Sequence, residues 1–197
     1  HKATPPVISV PSGNFGNICA GLLAMKSGIP FNHFIAACNA NDVVPKYFQQ
    51  QTYKAQAPVA TLSNAMDVGD PSNFTRILEL FKHDFNELKK SVTAYSISDE
   101  ETKQSIEELF TKYRYTADPH GAVGYASLIR YLAKHPNEKG IFMETAHPVK
   151  FYDVVEPILG NRIKLPAAVQ ALMQKQKVST KMNVCFDDLK SYLISKR

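Results

Sequence analysis

Residues 7–38 read VISVPSGNFGNICAGLLAMKSGIPFNHFIAAC, and this stretch decides the fold. Val7 to Val10 is a short, mostly β-branched run ended by Pro11 and a glycine loop, the pattern of a buried strand. From Gly16 the periodicity becomes helical, with Ile18, Leu22, Leu23 and Met25 apolar and Gly28 as the stop. Pro30 follows, and Phe34 to Cys38 is a second apolar run. Strand, loop, helix and strand in this spacing make a βαβ unit, which needs about 30 residues and is normally right-handed.

The same alternation continues outward. Asp42 is placed to cap a short helix through Phe48, and Gln49 to Pro58 is polar and irregular. Ser72 to Phe81 is helical through Phe74, Ile77, Leu78 and Phe81, and Val92 to Tyr95 is a strand candidate. Ser98 and Glu101 form a capping box before a helix carrying Ile106, Leu109, Phe110 and Tyr113. Asp118-Pro119 opens a helix to about Leu132, with proline where a first turn tolerates it. Gly140 to Met143 is the next strand, and His147 to Leu159 the next helix. Beyond Gly160 come two weaker helices, Pro166 to Gln176 and Asp187 to Ile194. The pattern predicts the α/β class, with a mainly parallel open sheet flanked by helices. Residues 1–160 are expected to form this domain, and residues 161–197 a helical extension packed on it.

Composition narrows the function classes. The chain has 197 residues, 44% hydrophobic and 21% charged, enough to bury roughly 70% of its unfolded surface without a staple. No apolar run approaches the roughly 20 residues of a membrane span. The opening HKATPPVISV lacks an initiator Met and a signal-peptide pattern, which predicts a chain that begins within a longer protein. Three widely spaced cysteines, Cys19, Cys38 and Cys185, argue against a disulfide framework and for a reducing, cytoplasmic setting. No paired Cys or His spacing proposes a metal. The net charge of +5 is spread over 23 basic and 18 acidic residues, and only Lys164 to Lys181 clusters, thinly. No nucleic-acid or membrane partner is expected, whereas a mild positive field suits an anionic small molecule.

Four motifs carry candidate chemistry. Ser12-Gly-Asn-Phe-Gly-Asn17 joins a strand to a helix, so its backbone can approach a ligand while the helix amino terminus offers free amides and a positive dipole end to a phosphate. A tight structural turn explains the same letters. Thr61 to Asp67, continuing to Pro71-Ser-Asn-Phe-Thr-Arg76, is polar enough either to line a cleft or to be a cap-rich connection. In Asp118-Pro-His-Gly-Ala-Val-Gly124, His120 is either a cleft hydrogen-bonder or a structural residue. Glu144-Thr-Ala-His-Pro-Val-Lys-Phe151 follows a strand's carboxyl end, where open α/β sheets bind ligands. Thr145 there is either a ligand contact or a cap for the next helix.

Taken together, VPSGNFGN, IAACNANDVVP, ATLSNAMDVGDPSNF, DPHGAVGY and ETAHPVKF resemble threonine synthases, in order and spacing, over nearly the whole chain. That family uses pyridoxal 5′-phosphate on the fold-type-II architecture and converts O-phospho-L-homoserine and water to L-threonine and phosphate. The resemblance implies that Gly13, Asn14, Phe15, Gly16 and Asn17 hold the cofactor's phosphate through backbone amides and the Asn14 side chain. Thr145 would bond the pyridine nitrogen through its hydroxyl, a partner that does not force that nitrogen to stay protonated. Asn73, Arg76 and His120 would face the substrate, Arg because it pairs well with phosphate oxygens.

One departure qualifies the match. The family's Schiff-base lysine lies upstream of the phosphate loop in a Phe-Lys-Asp setting, yet only twelve residues precede Gly13 and Lys2 has no such context. Phe81-Lys-His-Asp84 lies downstream and reads as the solvated face of a helix. The chain alone is therefore expected to be inactive. Another fold-type-II lyase or a cysteine synthase, a non-catalytic relative, and a phosphate- or nucleic-acid-binding module stay open as alternatives, as do monomer and homodimer.

Overall fold

The structure, a computed structural model, describes residues 4–173 and 175–196; Lys2 and Gln174 lie outside them. The chain divides into two compact units after Ile163.

In the first unit, β1 (Val7–Pro11) leads through α1 (Gly16–Lys26) to β2 (His33–Cys38). Then come α2 (Val43–Gln50), a 3₁₀ turn (Asn64–Met66), α3 (Ser72–Leu80), α4 (Phe85–Ser91) and β3 (Val92–Ser96). Two longer helices, α5 (Asp99–Tyr113) and α6 (Pro119–Leu132), return the chain to β4 (Gly140–Phe142). A second 3₁₀ turn (Pro148–Phe151) and α7 (Tyr152–Leu159) complete the unit. The second unit contains α8 (Ala167–Met173) and α9 (Phe186–Ser195).

The sheet order is β3-β2-β1-β4, and every pairing is parallel. Both faces of the sheet are covered, which is why β1 and β2 are buried at every position. The two-residue pleat divides them. Ile8, Val10, Phe34, Ala36 and Cys38 pack with Ile18 and Leu22 of α1 and with Phe74 and Ile77 of α3. Val7, Ile35 and Ala37 point the other way, onto Leu128, Tyr131 and Val123 of α6. Ser9 shares that second face, and its hydroxyl donates to the Gly124 carbonyl at 2.7 Å.

Four local expectations change. Phe85–Ser91 is a helix that hydrophobic periodicity did not reveal, because Leu88 is its one buried residue; Asp84 caps it by accepting from the Asn86 and Glu87 amides. Lys82 and His83 are not on a helical face: both have φ near +55°, forming the turn between α3 and α4. Asp42 stands at the start of α2 without a capping bond, its carboxylate paired instead with Lys46 at 2.8 Å. The expected helix from His147 is a 3₁₀ turn followed by α7, broken at Phe151, whose ring packs on His120.

Ile35, wholly buried in β2, should lose about 2–5 kcal/mol of stability on truncation to alanine. Ile141, half-exposed on edge strand β4, should lose far less on the same change. Urea unfolding of both variants tests this, and equal losses would contradict the layering described.

Candidate functional site

The chain leaves β1 at Pro11 through Ser12, whose amide donates to Ala37 of β2 at 2.8 Å and whose hydroxyl donates to Val10. Gly13 is required sterically: a Cβ there would stand 2.6 Å from the Met66 Cα. Phe15 takes the left-handed conformation, φ 61°, uncommon for a bulky residue. Its ring is buried edge-on against Phe74, which holds the turn in place. The Asn14 side-chain oxygen accepts from the Ser72 amide and hydroxyl at 2.7 and 3.0 Å, and Asn73 Nδ2 donates to the Asn14 carbonyl at 2.8 Å. The start of α3 thus braces the loop.

α1 begins without a side-chain cap, and its first internal bond runs from the Cys19 amide to the Phe15 carbonyl. The amides of Gly16, Asn17 and Ile18 therefore lack intrahelical partners, as the first turn of any helix must. A Cβ on Gly16 would meet only Asn73 Nδ2, at 3.6 Å. Gly16 is thus small with no packing need to be so.

Gly16 and Asn17 border a cavity of about 230 Å³ whose other lining residues are Pro11, Gly13 to Phe15, Ala65, Met66, His120 and Thr145. An apolar cavity of about 240 Å³, walled by Ile8, Val10, Gly21, Phe31, Phe34 and Met143, shares Asn17 and Thr145 with it. The capping role open to Thr145 falls to His147, whose Nδ1 accepts from the Val149 amide at 3.1 Å. The Thr145 hydroxyl has no hydrogen-bond partner among the described residues, and Thr145 lines both cavities. Gly13, Asn14, Phe15, Gly16, Asn17, His120 and Thr145 are thus brought together. Asn73 bonds the loop without lining the cavity, while Arg76 is exposed on α3 and does not line it either.

Beside the cavity stand two buried polar side chains, Asp118 and His120, and the half-buried Glu144. His120 Nδ1 donates to Asp118 Oδ1 at 2.5 Å, and its Nε2 accepts from the Ala65 amide at 3.2 Å. Glu144 Oε1 accepts from the Asp118 amide at 3.0 Å. Burial opposes the Asp118 charge, but the hydrogen bonds from His120, with the Glu144 carboxyl beside it, outweigh it and hold its carboxyl below the ordinary range. Burial, reinforced by neighbouring Asp118, pushes Glu144 up to about 8.

Known proteins match this chain in two registers. The family model "Pyridoxal-phosphate dependent enzyme" matches residues 1–143. The chain belongs to that family. A second model, "Threonine synthase, C-terminal", matches residues 121–193. Threonine synthase of Buchnera aphidicola is 44% identical over 190 residues, which is 96% of this chain and 43% of that protein. The crystal structure of the Escherichia coli threonine synthase superposes with a TM-score of 0.87 at 40% identity, over 98% of this chain and 44% of that one. A threonine synthase from Brucella melitensis, solved with pyridoxal phosphate bound, gives 0.81 at 27% identity over 96% and 46%. The resemblance carried by the five sequence motifs therefore stands. The chain spans about 43% of the length of the curated relatives it matches.

For a pyridoxal-phosphate family member, the missed parts of the site are instructive. Ala65 and Met66 line the cavity from a turn that Asp67, the next residue, anchors. Its carboxylate accepts from the Thr61 amide and hydroxyl and from the side-chain amides of Asn39 and Asn41. Asp118 reads in sequence as a helix cap, which it is, accepting from the His120 amide at 2.8 Å. That it also meets Glu144 has a signal only in Gly121, which has no side chain because the Glu144 carboxyl occupies that space.

Gly13→Ala should destabilise the chain by about 1–3 kcal/mol, since backbone must move to admit the methyl group. Gly16→Ala should leave the thermal midpoint close to that of the parent, because its methyl group would make only an ordinary contact, 3.6 Å from Asn73 Nδ2. Calorimetry of the pair decides, and a reversed order would refute the geometry.

Proposed function

We propose that this chain is the carboxyl-terminal part of a threonine synthase and supplies most of the pyridoxal-phosphate site. The whole enzyme would convert O-phospho-L-homoserine and water to L-threonine and phosphate. One observation carries the reading: Gly16 and Asn17, at the uncapped start of α1, and Thr145 border the same cavity.

The Gly16, Asn17 and Ile18 amides and the positive end of α1 receive the cofactor's phosphate. The absence of a side chain at Gly16 lets the phosphate approach the backbone closely. Asn14, its oxygen engaged by Ser72, turns its amide hydrogens to the same group. The Thr145 hydroxyl meets the ring nitrogen, orienting the ring without placing a charge beside it. The apolar cavity from Ile8 to Met143 excludes water along one side. When bound, the cofactor acts as an electron sink for carbanionic charge on the substrate. Asn73 and His120 serve by fixing the two rims of the cavity. The Schiff-base lysine and the remaining substrate contacts belong to the upstream half. A cytoplasmic place in amino-acid biosynthesis suits two buried, unpaired thiols, Cys19 and Cys38, and an anionic metabolite as substrate.

The chain alone should bind pyridoxal phosphate saturably and without a covalent bond, and Gly16→Asp should abolish binding by placing a carboxylate in the cup. Mixed with cofactor and O-phosphohomoserine, it should release no phosphate above background. Measurable turnover by the chain alone would overturn the assignment of the lysine to the upstream half.

A further inference from the structure

Asp118 Oδ2 and Glu144 Oε2 are buried oxygens with no hydrogen-bond partner among the described residues. Two orphaned acceptors in one place would each forfeit about 1–3 kcal/mol. One proton between them satisfies both. Asp118 already accepts from the His120 amide and from Nδ1, so it is the ionised member and Glu144 the neutral one. The titratable groups facing Glu144 are Asp118 and, from the connection after α5, Tyr115. Neither is a cation that could stabilise a second negative charge.

We propose that Glu144 is carried as a neutral acid sharing its proton with Asp118, and that this pair is the positioning device that keeps the two ends of the cofactor site in register. This rests on the cofactor reading above. The device is a continuous chain of contacts. Glu144 immediately precedes Thr145, and its Oε1 takes the Asp118 amide. Asp118 takes Nδ1–H of His120, which fixes the tautomer and leaves Nε2 as an acceptor for the Ala65 amide. Met66, the next residue, abuts Gly13 at the phosphate loop. Ionising Glu144 would set two carboxylates against each other at the centre of this chain. The Glu144 carboxyl fills the space that a side chain at Gly121 would need, so Gly121 lets it reach Asp118.

The sign with pH follows. Glu144 keeps its proton when folded up to about 8, against an ordinary value of 4.5. Its contribution to stability is fully present below the ordinary value and is lost as pH rises to about 8. Glu144→Gln keeps a neutral donor in the same place and should remove that dependence.

The test uses the 197-residue chain labelled with ¹³C at glutamate carboxyls. The resonance lost in Glu144→Gln should titrate near 8, and a midpoint near 4.5 would overturn the proposal. Sulfate, whose charge is constant over this range, then probes the loop through the Gly16 and Asn17 amide shifts. Its affinity for the parent should fall about tenfold between pH 7 and 9, following the neutral fraction of an acid titrating near 8. In Glu144→Gln it should be constant. Equal pH dependence in both proteins would sink the positioning role even if Glu144 titrates near 8. Absence of sulfate binding at any pH in either protein would instead sink the cofactor reading, and the positioning role with it.

Discussion

β4 joins the sheet on the free edge of β1 instead of beside β3, and the site depends on that pairing. Two adjacent parallel strands then end side by side, but the helices that follow them lie on opposite faces. α1 packs with Ile8, Val10 and Phe34, while α7 packs through Val155 against Ile106 of α5 and Ala122 of α6. Loops diverging from neighbouring strand ends leave a crevice between them, as doubly wound sheets do where strand order reverses. The loop after β1 furnishes amides and the loop after β4 a hydroxyl. Neither loop could face the other if β4 had followed β3.

A crevice alone does not hold backbone still, and the bracing here comes from groups that never face it. The start of α3 grips Asn14 from one side, and the turn at Met66 presses on Gly13 from the other. That turn is in turn moored by Asp67 to Asn39 and Asn41 beyond β2. The buried ring of Phe15 maintains a backbone conformation that costs on the order of 1–2 kcal/mol in a non-glycine residue. Strain of this kind persists only where the surroundings over-determine it. The loop's shape is thus a property of three elements packed around it, and a free peptide of the same sequence would not keep it.

This distinction explains what the sequence disclosed. β1, α1 and β2 were legible because apolar periodicity records burial directly, and α6 because Asp118-Pro119 is a local capping signal. Strand order was not, since nothing local to Gly140–Phe142 says which edge it will join. α4 escaped because it buries only Leu88, leaving no stripe to read. Phe81 to Asp84 looked like a helical face because αL residues other than glycine leave no mark in composition. At the site, Gly13–Asn17 and Thr145 were found as motifs, but the use of each was set by tertiary contacts. Thr145 could locally be a ligand contact or a cap, and only the pairing of the Val149 amide with His147 took the capping role from it. Arg76, chosen for its affinity for phosphate, falls on the exposed face of α3, because Phe74 and Ile77 set which way that helix turns.

Electrostatics ties the acid pair to the loop. Among the described residues lining the cavity none is a lysine or arginine, so an anion there relies on amide dipoles and one helix terminus. Such a cup supplies about half a positive charge, modest beside a phosphate group. Two ionised carboxylates just behind it would more than cancel that field. Holding Glu144 neutral halves the opposing charge, and the surviving Asp118 charge is turned toward His120 rather than toward the cavity. Removing both acids would spare the site their charge entirely, yet it would also cut the link between Glu144 and Ala65. A neutral acid beside an ionised one keeps the hydrogen-bonded brace at the least electrostatic penalty to anion binding.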